Sequence, residues 1–335
     1  MSKYDLAFRA AVVQAEPVWN DIDEGIDKTV ALVSEAASQG AHLIAFPEVW
    51  IPGYPWFLWL DSVAWQSQFL LSYATNSVTR DSPHFARIEQ AARENGIAIS
   101  LGFSERDAGS LYIAQAFIDS RGVTQNIRRK LKPTHVERTL FGEGDGSDVS
   151  VIDTDFGRLG ALNCWEHLQP LLKYAMFSQG EQIHIAAWPS FSIFENVVHV
   201  LGPEVNVGAA QQYAVEGQVF VLSACGLVGE SGQNLFADSE AKRQLLCRGG
   251  GHARIFGPDG RQLVNPIAPT EEGILYAEID YTAILSAKNA ADPVGHYSRP
   301  DVFRLYFDKT PRANVVHQPL AVPIESVDAG IAHFV

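Results

Sequence analysis

The chain has 335 residues, 47% of them hydrophobic and 19% charged, which is enough apolar material for a large core and too little charge for a disordered chain. Its formal net charge of −14 repels phosphate, so neither nucleic acid nor an anionic membrane is an expected partner. The three cysteines Cys164, Cys225 and Cys247, with no CxxC spacing, exclude a disulfide scaffold and a four-cysteine zinc site.

Asp5 and Arg9 interrupt the start before any apolar run, which does not read as a signal peptide. No stretch approaches the ~18 apolar residues of a membrane span. A cytoplasmic protein is expected. In chain order, the first unit reads as strand Ala7–Gln14, helix Asp21–Ala37 and strand Ala41–Phe46. Ile22, Ile26, Val30 and Val33 share one helix face, and Gly40 stands where a helix stops. A helix over Pro83–Asn95 and a strand over Ile97–Phe103 follow. Runs Leu111–Ile118 and Val123–Arg129 flank the turn residues Asp119 to Gly122, a hairpin by composition. Later strands are expected at Val149–Ile152, Leu159–Asn163, Gln182–Ala187, Val219–Ser223, Ala253–Phe256 and Gly273–Ile279. Helices fit at Leu168–Ser178 and Glu204–Glu216. This mixture predicts one α/β domain, a mixed sheet with helices packed outside it. The segment after about Arg299, with Pro311, Pro319 and Pro323, reads as an extended tail.

The ten histidines show no HxxxH or HExxH spacing, so no metal site is expected. Cys164 follows an apolar strand and precedes a helix, a place where a nucleophile meets free backbone N–H groups; a small buried hydrophobe is the alternative. Glu48 also stands just past a strand, among Phe46, Trp50 and Tyr54. Aromatic burial would raise its pKa and make it a base near neutrality, whereas in isolation a solvated loop acid is the better reading. Lys130 ends a strand inside Arg128-Arg129-Lys130-Leu131-Lys132, a basic cluster that reads by itself as a solvated edge. Three chemical side-chain types at three strand ends are nevertheless where α/β folds build sites.

From about Ala7 to Asp301 the chain resembles the nitrilase superfamily of carbon–nitrogen hydrolases. Ala41-His42-Leu43-Ile44-Ala45-Phe46-Pro47-Glu48 is similar to its glutamate motif and Arg129-Lys130-Leu131-Lys132-Pro133-Thr134 to its lysine motif. Gly160-Ala161-Leu162-Asn163-Cys164-Trp165-Glu166 is similar to its cysteine motif. Cys164-Trp165-Glu166-His167 and Gly295-His296-Tyr297-Ser298-Arg299-Pro300-Asp301 resemble the nitrilase branch, most of all bacterial arylacetonitrilases and aliphatic nitrilases.

The resemblance implies a four-layer α-β-β-α sandwich over residues 1–300, with a tail over 301–335 that serves oligomer contacts. It implies Glu48, Lys130 and Cys164 as a catalytic triad and Glu137 as a further active-site acid. The partners it implies are a small nitrile and water, and a second copy of the chain in a dimer that builds larger spirals or filaments. Gly202–Glu216 and the arm after Arg299 are the expected interfaces. No cofactor and no metal enter the implied chemistry. An amidase, a cyanide hydratase or dihydratase, or a non-catalytic assembly protein are the alternatives. Four of the seven tryptophans fall between Trp50 and Trp65, and an aromatic pocket would suit aromatic or arylaliphatic nitriles. Tyr54, Trp165 and Trp188 are the candidate substrate contacts.

Overall fold

Apolar residues alternating with period two, cut by glycines and capping residues, give twelve strands among the described residues. A computed structural model describes residues 7–195, 197–313 and 315. The strands are β1 (Ala7–Ala15), β2 (Leu43–Ala45), β3 (Ala98–Asp107), β4 (Ser110–Ile118), β5 (Thr124–Arg129), β6 (Phe141–Gly142), β7 (Val151–Thr154), β8 (Gly157–Asn163), β9 (Ile183–Trp188), β10 (Phe220–Gly226), β11 (Arg254–Phe256) and β12 (Gly273–Asp280). The helices are α1 (Ile22–Ser38), α2 (Val63–Thr75), α3 (Pro83–Asn95), α4 (Pro170–Phe177), α5 (Pro203–Gly217), α6 (Glu230–Phe236), α7 (Glu240–Leu245) and α8 (Thr282–Ala290).

Local signals fix the helix ends. Asp21 caps α1 by accepting the Glu24 N–H, and Ser82 caps α3 in the same way with Pro83 at the first helical position. Gly96 ends α3 in the left-handed conformation at φ 62°. The helix α2 has no counterpart in the sequence expectation, and the turn after Cys164 differs from it. The helix expected from Leu168 begins at Pro170, and Cys164–Leu168 is a separate 3-10 turn.

The strand order is β5-β4-β3-β2-β1-β10-β9-β8-β7, with β6, β11 and β12 paired at the side of this path. β1, β2 and β3 run parallel to one another, as do β8, β9 and β10. Between the two halves, β1 meets β10 only through Gln14 opposite Cys225 and Ala15 opposite Gly226. The halves therefore turn face to face. Ala10, Val12, Leu43, Ala45, Ala98 and Phe117 on one half share a core with Leu159, Ala161, Ile183 and Ile185 on the other. The opposite face of the first half, with Ala11, Val13, Ile44 and Ile99, packs on α1 and α3. Leu172, Met176, Ala210 and Tyr213 of α4 and α5 cover the outer face of the second. The result is the four-layer α-β-β-α sandwich. Among the described residues no helix is long and apolar enough to cross a membrane.

Candidate active site

Glu48 lies just past β2, while Lys130 and Cys164 directly follow β5 and β8. Because β3 and β5 both pair antiparallel with β4, β5 runs in the direction of β3. All three side chains therefore leave the same edge of the sandwich, at the carboxyl ends of the strands. The turns there are strained. Val49 (φ 47°), His135 (φ 46°) and Cys164 (φ 46°) all adopt left-handed backbone conformations, costly for any branched or bulky residue and concentrated where function fixes geometry. Gly102 on β3 lets the Glu48 turn approach, since a Cβ there would sit 2.1 Å from the Pro47 carbonyl oxygen.

The Lys130 ammonium is fully buried and donates to Glu48 Oε1 at 2.8 Å and to Glu137 Oε2 at 2.8 Å. Glu137 sits on a 3-10 turn over His135–Thr139. Its carboxylate also accepts the Thr134 N–H at 2.6 Å and the Tyr54 hydroxyl at 2.7 Å. Glu48 keeps Oε2 buried without a hydrogen-bond partner among the described residues, an acceptor free for a proton in transit.

The electrostatics follow from burial. Desolvation pushes the Glu48 carboxyl up to about 8, against the pull of the Lys130 ammonium. Desolvation alone would lower Lys130, but Glu137 and Glu48 outweigh it and hold the amine well above its ordinary value. Burial and the charge of Glu48 push the Cys164 thiol up, with Lys130 and the Trp165 N–H opposing. The Cys164 thiol thus rests neutral, with a buried carboxyl of raised pKa and a fixed ammonium beside it.

The solvated readings of Glu48 and of the basic cluster are overturned together. Glu48 and Lys130 are buried, and so is Arg128. Arg128 makes a two-pronged pair with Glu166, at 2.9 Å and 2.7 Å. The same carboxylate accepts the Asn163 N–H at 2.8 Å and the Leu131 N–H at 2.9 Å. One acid thereby ties the residue after Lys130 to the residue before Cys164. Sequence reading missed this pair, because an Arg and a Glu 38 residues apart give no local signal.

Tyr54 and Trp165 line a cavity of about 30 Å³ together with Cys164, Glu137, Trp56 and Trp59. The Trp165 indole is pinned by donating to Asn206 Oδ1 of α5 at 2.9 Å. Trp188, the third expected contact, does not line this cavity. In β9 it alternates with the inward Ala187, so its ring turns outward and stacks on His167 with centroids 5.0 Å apart. Cys225 is buried among backbone carbonyls of Pro189 and Gly250, a structural place.

The carbon–nitrogen hydrolase family model matches residues 9–289. A nitrilase of Pseudomonas syringae pv. syringae (strain B728a) is 56% identical over 321 residues, covering 96% of each chain. An aliphatic nitrilase of Rhodococcus rhodochrous is 53% identical over 310 residues, 92% of this chain and 85% of that one. In fold, the chain is similar to the C. elegans NitFhit protein with a TM-score of 0.71 at 18% identity, covering 92% of this chain and 69% of that one. With the fold, the motifs and these relatives in agreement, the chain belongs to the carbon–nitrogen hydrolase family, in its nitrilase branch.

Proposed function

We propose that Cys164 is the nucleophile, Glu48 the general base and Lys130 the charge-stabilising cation with which this nitrilase converts an organic nitrile to a carboxylic acid and ammonia. The observation that carries these roles is the buried ammonium held 2.8 Å from each of two carboxylates, in the turn that faces the thiol-bearing one. Glu48 takes the Cys164 proton as sulfur bonds to the nitrile carbon, and the nitrile nitrogen takes that proton to give a thioimidate. Water deprotonated by Glu48 adds to the same carbon and Glu48 returns that proton to nitrogen; the new hydroxyl then gives its proton to nitrogen through Glu48 as the C–N bond breaks, and ammonia leaves a thioester. A second water releases the acid and restores the thiol. Lys130 and the Trp165 N–H stabilise the negative charge that develops at each addition. Glu137 holds Lys130 in place.

The walls made by Tyr54, Trp56, Trp59 and Trp165 suit an aryl or arylaliphatic group. The cavity is small, about 30 Å³, and Ile193 and Leu201 complete its apolar lining. Ammonia release from phenylacetonitrile, benzonitrile, butyronitrile and the matching amides tests both points. Phenylacetonitrile is expected to turn over fastest, and amides at most a few per cent as fast. Amides outrunning nitriles would overturn the reaction assigned, and butyronitrile outrunning phenylacetonitrile would give the pocket to aliphatic chains.

The protein is further proposed to be a homo-oligomer in the cytoplasm, a reducing compartment that suits three free thiols. Tyr297, Val302, Phe303 and Tyr306 on the arm after α8 are all more than half exposed, apolar area that a second copy would cover. Much of the tail, from residue 316 on, lies outside the described residues. Light scattering at working concentration should give at least a dimer mass. A monodisperse monomer would overturn this assembly.

A further inference from the structure

Behind Cys164, between β9 and α5, four buried side chains that no catalytic step uses form one hydrogen-bonded line. His167 Nδ1 lies 2.6 Å from the Cys164 carbonyl oxygen, and His167 Nε2 lies 2.9 Å from His184 Nε2. His184 Nδ1 lies 2.7 Å from Glu181 Oε1, and the Tyr213 hydroxyl donates to Glu181 Oε2 at 2.7 Å. None of the four is more than 3% exposed. β8 leaves room for the line, since a Cβ on Gly160 would meet Glu181 Oε1 at 1.9 Å.

The direction of each proton follows from the carbonyl. It can only accept, so His167 Nδ1 donates. A neutral His167 then accepts at Nε2, which makes His184 Nε2 a donor and His184 Nδ1 an acceptor. Glu181 must therefore donate, as a carboxylic acid, while its other oxygen receives the Tyr213 hydroxyl. Burial favours this neutral arrangement, pushing Glu181 up to about 8, His167 down to about 3 and His184 well below its ordinary value.

We propose that Glu181, His184, His167 and Tyr213 are positioning residues for the nucleophile, a directed chain whose last N–H holds the Cys164 carbonyl in its left-handed turn and which reverses when Glu181 ionises. In the reversal each proton moves one place along. The Glu181 proton passes to His184 Nδ1, the His184 Nε2 proton passes to His167 Nε2, and the proton on His167 Nδ1 is lost to solvent. A lone pair then faces the carbonyl where a donor had been. The other charged groups that bear on the chain are Arg128 and Glu166 at His184, and Glu166 and Lys173 of α4 at His167. Tyr213 of α5 faces Glu181 directly. The proposal rests on Cys164 being the nucleophile; failure of that assignment would appear separately, as turnover retained in Cys164→Ala.

Profiles of kcat and KM against pH, between about pH 6 and 10 on one nitrile, test it in Glu181→Gln, Glu181→Leu and Tyr213→Phe. Glutamine copies the neutral acid, donating to His184 through its amide N–H and accepting from Tyr213 through its oxygen, and it cannot ionise. Glu181→Gln is expected to keep kcat within about twofold at pH 7 and to lose the alkaline fall near pH 8, while the acid limb set by Glu48 stays. Tyr213→Phe removes a donor that favours the Glu181 anion and should move the alkaline limb to higher pH. Glu181→Leu breaks the chain and should lower kcat about tenfold with KM little changed. Glu181→Gln as impaired as Glu181→Leu would overturn the proposal. So would an alkaline limb unmoved in both the Gln and Phe variants, a comparison that decides the matter even if the Leu variant fails to fold.

Discussion

Turnover of every nitrile should fall by at least about four decades in Cys164→Ala, because the Cys164 sulfur is proposed to form the covalent bond on which both hydrolytic steps depend. Cys225, buried beneath backbone carbonyls with its thiol pushed up to about 12, cannot take over. Iodoacetamide should inactivate the wild-type protein with the label on Cys164, and a nitrile should leave an acyl adduct visible by intact mass. The variant should fold normally by circular dichroism, since a methyl replaces a thiol that is only partly buried. Wild-type turnover in Cys164→Ala would remove the mechanism altogether.

The second large effect belongs to Glu137→Gln. The native carboxylate accepts from three donors, namely Lys130, the Thr134 N–H and Tyr54. A glutamine can serve the first two with its oxygen only by turning its NH₂ toward the Tyr54 hydroxyl. The larger loss is charge. The negative charge of Glu137 raises the pKa of Glu48 and holds Lys130 as an ammonium. Without it the Glu48 pKa falls below its native value of about 8, so the acid limb of kcat/KM should move to lower pH and the base should weaken. The expected loss in kcat is roughly 10²–10⁴-fold. KM should change little, because an uncharged nitrile does not pair with a carboxylate. A folded variant with unchanged kcat and an unmoved acid limb would reduce Glu137 to a structural acid.

Much of the site is legible in the order of the amino acids alone. Glu48, Lys130 and Cys164 each sit just past an apolar strand, and strand ends gather on one edge in a parallel arrangement. What sequence hides is burial set by distant partners. Lys130 reads as a solvated charge because its neighbours are basic, yet its two acids arrive from 82 and 7 residues away. The line from His167 to Tyr213 is equally hidden, since α4 separates its two histidines and α5 supplies its tyrosine. Trp188 turns away from the cavity for a different reason. Its place near the site is right, but one step of strand parity decides which face it occupies. The helix α2 went unread because its apolar residues do not keep to one side, with Val63 and Leu71 exposed.

The two-residue pairing of β1 with β10 has a mechanical consequence. It joins the halves at the carboxyl ends of the strands, the edge that carries the site, and leaves them unpaired with each other along the rest of their length. The assembly is a book bound along one short spine, with Phe8, Phe156, Phe220 and Tyr281 wedged between the covers at the open end. Any breathing of the covers swings the far ends through the widest arc and moves the spine least. Glu48, from one cover, and Cys164, from the other, sit beside that pivot and keep their separation while the rest of the sandwich flexes.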